Sequence, residues 1–148
     1  MSKNRSFWIA IVTNKGANVL EGTVVPPGRP HLEVRARLEH VEEERQHGRP
    51  SPRRSKDGHS YANWGNEDEE NLTRHARRVA GWLHQRGEEL SVDRLKVFAS
   101  PRLAGALRTQ YPPKFAEHVL EENVDLGYMQ AKDLVKHPAI AVLFEGLA

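Results

Sequence analysis

The chain has 148 residues, 38% hydrophobic and 28% charged, with a formal net charge of +2 and no cysteine. That length suits one domain, and the mix of charge signs on a moderately apolar chain argues against wholesale disorder. The missing cysteine excludes a disulfide framework, a thiolate nucleophile and a sulfur-ligated zinc site, and the small net charge means that any phosphate binding needs a local patch.

Residues 7–12 are the longest uninterrupted apolar run, aromatic and β-branched, and predict a central strand covered on both faces. The run is far below the ~20 residues of a membrane span. Lys3 and Arg5 precede it, but it is also too short for a signal-peptide core. The expectation is a cytoplasmic protein with no membrane partner. Asn14-Lys15-Gly16 is a tight-turn signal, so 19–25 pairs back as a second strand until Pro26-Pro27-Gly28 stops the ladder. Leu32, Val34, Ala36 and Leu38 then alternate with Glu33, Arg35, Arg37 and Glu39. This predicts an outer strand with one aliphatic face inward and one charged face in water.

Residues 42–65 show no apolar period and predict a long, mobile loop. From Asn66 the period becomes helical, with Leu72, Ala76, Val79 and Leu83 on one stripe widened by Ala80 and Trp82. Asn66 is the expected N-cap, 67–70 are acidic, and Arg86-Gly87 is the expected end. A buried strand is predicted at 95–99, and a short helix from Pro101, capped by Ser100, to Arg108. Pro112-Pro113 breaks that helix. An edge strand follows at 119–124, a helix at 130–136, and a last helix at 139–147 after His137-Pro138. The order βββαβαβα gives an α/β protein with a mixed sheet, antiparallel in its N-terminal half, and helices on its faces.

Three features could carry chemistry. Arg45, Arg49, Arg53, Arg54 and Lys56, with His47, form a basic stretch that would attract phosphates, or a solvated loop. The stretch 57–65 places His59, Tyr61 and Trp64 among small residues and amides before a helix, where rings could stack on bases or anchor the loop. The polar face of the long helix adds Arg74, Arg77 and Arg78. The eight histidines, among them His40, His47, His75 and His84, have no ligand spacing, and no metal or other cofactor is expected. Acids are absent from the first strand, so a two-metal nuclease is not indicated, and no phosphate loop, dinucleotide fingerprint or nucleophile elbow is present. The reading leans away from an enzyme.

Taken in order, these pieces resemble a family. The opening strand 7–12, its hairpin, the polar loop before the acidic long helix, and the strand-to-helix block 93–107, which includes Ser100, Pro101 and Arg102, are similar to the bacterial group called "protein required for attachment to host cells". That group is related to bacterial relatives of the archaeo-eukaryotic peptide-chain release factor. The resemblance implies a ribonuclease H-like domain equivalent to the release factor's middle domain. There, the loop before the long helix carries Gly-Gly-Gln; here it reads Lys56-Asp57-Gly58-His59-Ser60-Tyr61-Ala62-Asn63, with one glycine and no glutamine.

The function expected first is a translation-associated module that binds the ribosome or tRNA. Arg49, Arg53, Arg54, Lys56, Arg74, Arg77, Arg78 and Arg102 would contact RNA, with Tyr61 and Trp64 stacking. A non-enzymatic protein-interaction or self-association module using a sheet edge is the alternative. A hydrolase of aminoacyl- or peptidyl-tRNA esters, with Gly58, His59 and Asn63 positioning water, comes third.

Overall fold

The apolar run at 7–12 lies in the middle of a five-stranded sheet. In the computed structural model, which describes residues 5–26, 28–39 and 59–147 and only the backbone of 59–68, the elements follow in this order. Strands β1 (Ser6–Thr13), β2 (Gly16–Val25) and β3 (Arg29–Glu39) come first. Helix α1 (His59–Leu90), strand β4 (Leu95–Phe98), and helices α2 (Pro101–Arg108) and α3 (Pro113–Ala116) follow. Strand β5 (Val119–Glu122) and helices α4 (Ala131–Leu134) and α5 (Pro138–Glu145) complete the chain. The sheet order is β3-β2-β1-β4-β5. The first three strands are antiparallel, and β4 and β5 are parallel to β1. The fold is therefore mixed α/β, with an antiparallel N-terminal half as expected.

Strand β1 is buried on both sides. Ala10 and Val12 join Ala76, Val79 and Leu83 of α1 and Leu103 of α2 in one core. Ile9 and Ile11 join Leu134, Ile140 and Phe144 of the C-terminal helices in the other. Phe7 meets Phe144 edge-on at 4.7 Å. Its ring fills the space over Gly22, where a Cβ would overlap it. The hairpin closes through Asn14-Lys15, with Thr13 opposite Gly16, and Gly16 lies so close to Leu38 O that a side chain would not fit.

Helix α1 is longer than its sequence signals suggest. It begins at His59 rather than at Asn66, so residues 59–65 are helical and Asn66 is an interior position, not a cap. No proline lies between Pro52 and Pro101, and extending a formed helix adds a hydrogen bond per residue without a new nucleus. A polar N-cap signal is too weak to stop it. The expected loop at 42–65 otherwise falls on residues 40–58, outside those described. Gly87 does not end the helix either. It sits against Phe115, whose Cε1 would be 3.4 Å from a Cβ there. The helix ends at Ser91, a non-glycine residue at φ 57°. Val92 N–H bonds to Gly87 O at 2.9 Å and Ser91 N–H to Glu88 O at 3.3 Å, the paired bonds of a left-handed C-terminal cap.

Strand β3 lies at the sheet edge as expected, but its four aliphatic residues do not share a face. A β-bulge separates the pairs Leu20–Val34 and Val19–Ala36, leaving Arg35 as the extra residue. Leu32 belongs with the core under α4 and α5, whereas Ala36 and Leu38 pack on the α1 side. Val34 is 38% exposed. Arg35 turns to the α1 side, where its Nη1 bonds to Glu21 Oε1 at 2.6 Å and its guanidinium lies 5.9 Å from the Trp8 ring centre. Past the bulge, Arg37 and Glu39 pair with Asn18 and Gly16 and face the opposite side.

The remaining elements follow their signals with shifted ends. Pro113 does more than break a helix: it opens the one-turn α3, which sends Phe115 into the core. Helix α4 is shorter than the expected 130–136, and β5 shorter than 119–124. Helix α5 starts at Pro138, where His137 Nδ1 accepts from Ala139 N–H at 3.1 Å. Tyr111 is buried beside β5. Its hydroxyl and Glu121 Oε2 are both buried without a well-formed hydrogen bond, while Glu121 Oε1 is held by Arg108 at 2.9 Å. Burial pushes the Tyr111 phenol well above its ordinary value of 10.0, the Glu121 charge pushes it further, and Arg108 opposes both.

Two outcomes follow from these positions. Leu32, 8% exposed, faces a core, so Leu32→Asp should lower stability by about 3 kcal/mol or more, and Val34→Asp by about 1 kcal/mol or less. Equal losses in urea melts would place both residues on one face and remove the bulge. For Tyr111, the folded state keeps a proton that the unfolded state releases near pH 10. Folding stability therefore falls as pH rises above about 10, by about 1.4 kcal/mol per unit. Tyr111→Phe should lack that fall, and parallel stability curves between pH 8 and 11 for the two proteins would refute the assignment.

Candidate functional site at the carboxyl edge of the sheet

Because β1, β3, β4 and β5 all run in one direction, Thr13, Glu39, Phe98 and Glu122 end on one edge. The chain leaves β1 through the hairpin toward β2 and leaves β4 through α2 toward β5, in opposite directions across the sheet. Such a divergence between adjacent parallel strands opens a crevice at their carboxyl ends, where open α/β sheets bind ligands.

Two faces meet at this edge. On the first, α1 is tied down by His75, whose Nε2–H donates to Thr13 O at 2.7 Å, and by Arg78, whose Nη2 donates to Glu39 O at 3.3 Å. Arg74, Arg77 and Arg78 are exposed, and their spacing of three and four puts their guanidinium groups on one side of the helix. At the start of α2, Arg102 Nη2 reaches Glu69 Oε2 of α1 at 3.3 Å. The structure thus puts three of the sequence-predicted arginines on one helix face and holds the fourth, Arg102, in an ion pair with Glu69. His59, Tyr61, Asn63 and Trp64 stand in the first two turns of α1 rather than in a loop, and their side chains lie outside the described residues. Arg49, Arg53, Arg54, Lys56 and Gly58 also lie outside them.

The second face is a cleft of about 940 Å³ between the β1–β2–β3 end and the segment 127–131. Sequence reading missed it, together with Lys15 and Arg37 at its rim. Gly127 makes one wall possible: its backbone passes so close to Thr13 Cγ2 that a side chain would collide, and its N–H is held by Asp125 Oδ1 at 3.0 Å. The glycine was the one signal available, and only the fold shows what it touches.

Two further histidines have structural work. His84 packs against Phe115 with ring centres 5.2 Å apart and lies 3.4 Å from Glu88 Oε2, and His118 Nδ1 lies 2.9 Å from Asp93 O. Among the described residues no three His, Asp or Glu side chains converge as metal ligands. No helix among the described residues is long and apolar enough to cross a membrane.

A comparison with curated proteins finds no match. The family model described as "Protein required for attachment to host cells" matches residues 8–142, which takes in β2 to β5, all but the first two residues of β1 and the greater part of each helix. With its sheet, its long helix and the strand-to-helix block all inside that match, the chain belongs to this family.

Proposed function

We propose that the protein is an RNA-binding module of the translation apparatus, docking on the ribosome or tRNA through the carboxyl edge of its sheet. The observation that carries the reading is the exposed face of Arg74, Arg77 and Arg78. Segment 40–58, which holds Arg49, Arg53, Arg54 and Lys56, joins Glu39 at that edge to α1 and would extend the same patch. Guanidinium groups on a common face suit a phosphate backbone, where each contact releases a condensed counterion. Tyr61 and Trp64, in the turns of α1 that precede this face, would add base stacking. A ribonuclease H-like classification and kinship with the release factor's middle domain belong to the same proposal. The antiparallel half followed by parallel strands is compatible with both.

In this reading the module binds and does not hydrolyse. Its cytoplasmic location and its RNA partner are part of the proposal.

Replacing Arg74, Arg77 and Arg78 together by Ala should weaken binding of a single-stranded RNA and flatten the slope of log affinity against log salt by about two units, at roughly 0.7 per contact. Trp64→Ala should instead lower affinity by about 1–3 kcal/mol with the slope unchanged. Fluorescence anisotropy across a salt series reads both. Absence of RNA binding by the unaltered protein at physiological salt would overturn the proposal and favour a protein-interaction module. Turnover of an aminoacyl-tRNA ester that is lost in His59→Ala would overturn the non-catalytic reading.

A further inference from the structure

The cleft on the other side of the edge has a make-up of its own. Its floor is aliphatic, built by Ile11, Leu20, Val34, Met129 and Leu134. Its rim is polar, with the amides Asn18 and Gln130 and the charged groups Lys15, Arg37 and Glu39. At about 940 Å³ it falls within the range of about 300–1,000 Å³ usual for small-molecule sites.

Some cations elsewhere on the surface are matched by carboxylates. Arg35 pairs with Glu21, Arg86 with Glu89, Lys96 with Glu122 and Arg108 with Glu121. Among the described residues, Lys15 and Arg37 make no ion pair, and Gln130, although it stands at the start of α4, makes no side-chain cap bond. The bulge at Arg35 is what aims Arg37 and Glu39 here, since an unbroken strand would have kept them on the face of Glu33 and Arg35. Bulges that re-aim side chains recur next to binding sites. The adjoining wall carries Tyr128, 78% exposed between two lining residues.

We infer that this cleft takes one unpaired nucleotide of a single-stranded RNA. Its planar base lies on the aliphatic floor, Asn18 and Gln130 bond to the base edge, and Lys15 and Arg37 hold the phosphate. The chemistry follows from the parts. An amide offers one acceptor and two donors, matching the mixed edge of a heterocycle better than it matches a lipid tail. Glu39 accepts hydrogen bonds from ribose hydroxyls, and the Tyr128 ring stacks on the base or its neighbour. The inference deepens the RNA reading and rests on it for the source of the nucleotide, but it concerns a different face.

The test is a chemical-shift titration of the full chain with AMP, GMP, CMP and UMP. Ribose 5-phosphate, laurate and a ten-nucleotide single-stranded RNA are titrated in parallel. Expected are shifts at the amides of Leu20, Val34 and Gln130 with at least one mononucleotide and with the RNA, and affinity at least tenfold lower for ribose 5-phosphate. Asn18→Ala with Gln130→Ala should weaken mononucleotide binding at least tenfold while leaving the melting temperature unchanged. Tyr128→Ala, on an exposed side chain, gives a second reading if the double variant folds poorly. The variant lacking Arg74, Arg77 and Arg78 should bind mononucleotides as the unaltered protein does, so failure of the arginine face and failure of the cleft are separable. Equal binding of ribose 5-phosphate, shifts from laurate but not from nucleotides, or RNA binding that leaves the three amides unmoved would each overturn the inference.

Discussion

The constraint on which the rest depends is the double-sided burial of β1. A strand with no wet face must be covered by two layers and flanked by two strands. Ala10 and Val12 recruit α1 and α2, while Ile9 and Ile11 recruit the C-terminal helices. The hydrogen-bonding edges are met differently, by β2 antiparallel on one side and by β4 parallel on the other. An antiparallel neighbour can be reached by two residues, but a parallel one needs a long crossover. Helix α1, preceded by β3 and segment 40–58, supplies that crossover. The change of strand sense at β1 also makes the chain diverge at its carboxyl end, beside the cleft between β1–β2–β3 and residues 127–131. The packing of one strand thus determines where a site can form.

Much of this was legible in the sequence because it rests on local signals. The run at 7–12, the turn at Asn14-Lys15, the start of α2 after Ser100 and the stripe from Leu72 to Leu83 depend on residue type and spacing over a few positions. What failed needed knowledge of partners. The alternation Leu32, Val34, Ala36, Leu38 is unbroken, yet the strand changes faces in the middle, because a bulge is defined by what lies across the ladder. Nothing in residues 32–39 distinguishes a smooth strand from a bulged one; the interruption is recorded only in the pairing with Val19 and Leu20.

The ends of α1 teach the same lesson from the opposite direction. Asn66 and Gly87 are good stop signals by local preference, and the helix passes through both. Each preference is worth about 1 kcal/mol or less, which packing and propagation outweigh. Gly87 packs near Phe115, a residue 28 positions away, and the real stop falls on Ser91, which no propensity scale would select for positive φ. Of the candidate site, the arginines at 74, 77 and 78 could be read because a helix face is periodic. The cleft could not, because its rim is assembled from β1–β2, β3 and the segment after β5.

The pairing of charges supplies a physical reason to separate the two faces of the edge. Exposed ion pairs contribute little stability, about 0–1 kcal/mol each, so their distribution says more about local potential than about folding. Where Arg35, Arg86, Lys96, Arg102 and Arg108 each meet a carboxylate, the charge is offset at short range. At the carboxyl edge the arginines of α1 bond to a carbonyl and an amide, groups that accept a hydrogen bond without cancelling charge. Charge that is not paired at contact acts over about 8–10 Å, the screening length at ordinary salt. Long range and weak direction suit a repeating phosphate backbone. The cleft offers the reverse: enclosure, an apolar floor and fixed amides that act only at contact distance. Affinity without sequence and recognition of a single unit are different physical tasks, and the proposed reading assigns them to opposite faces of one edge.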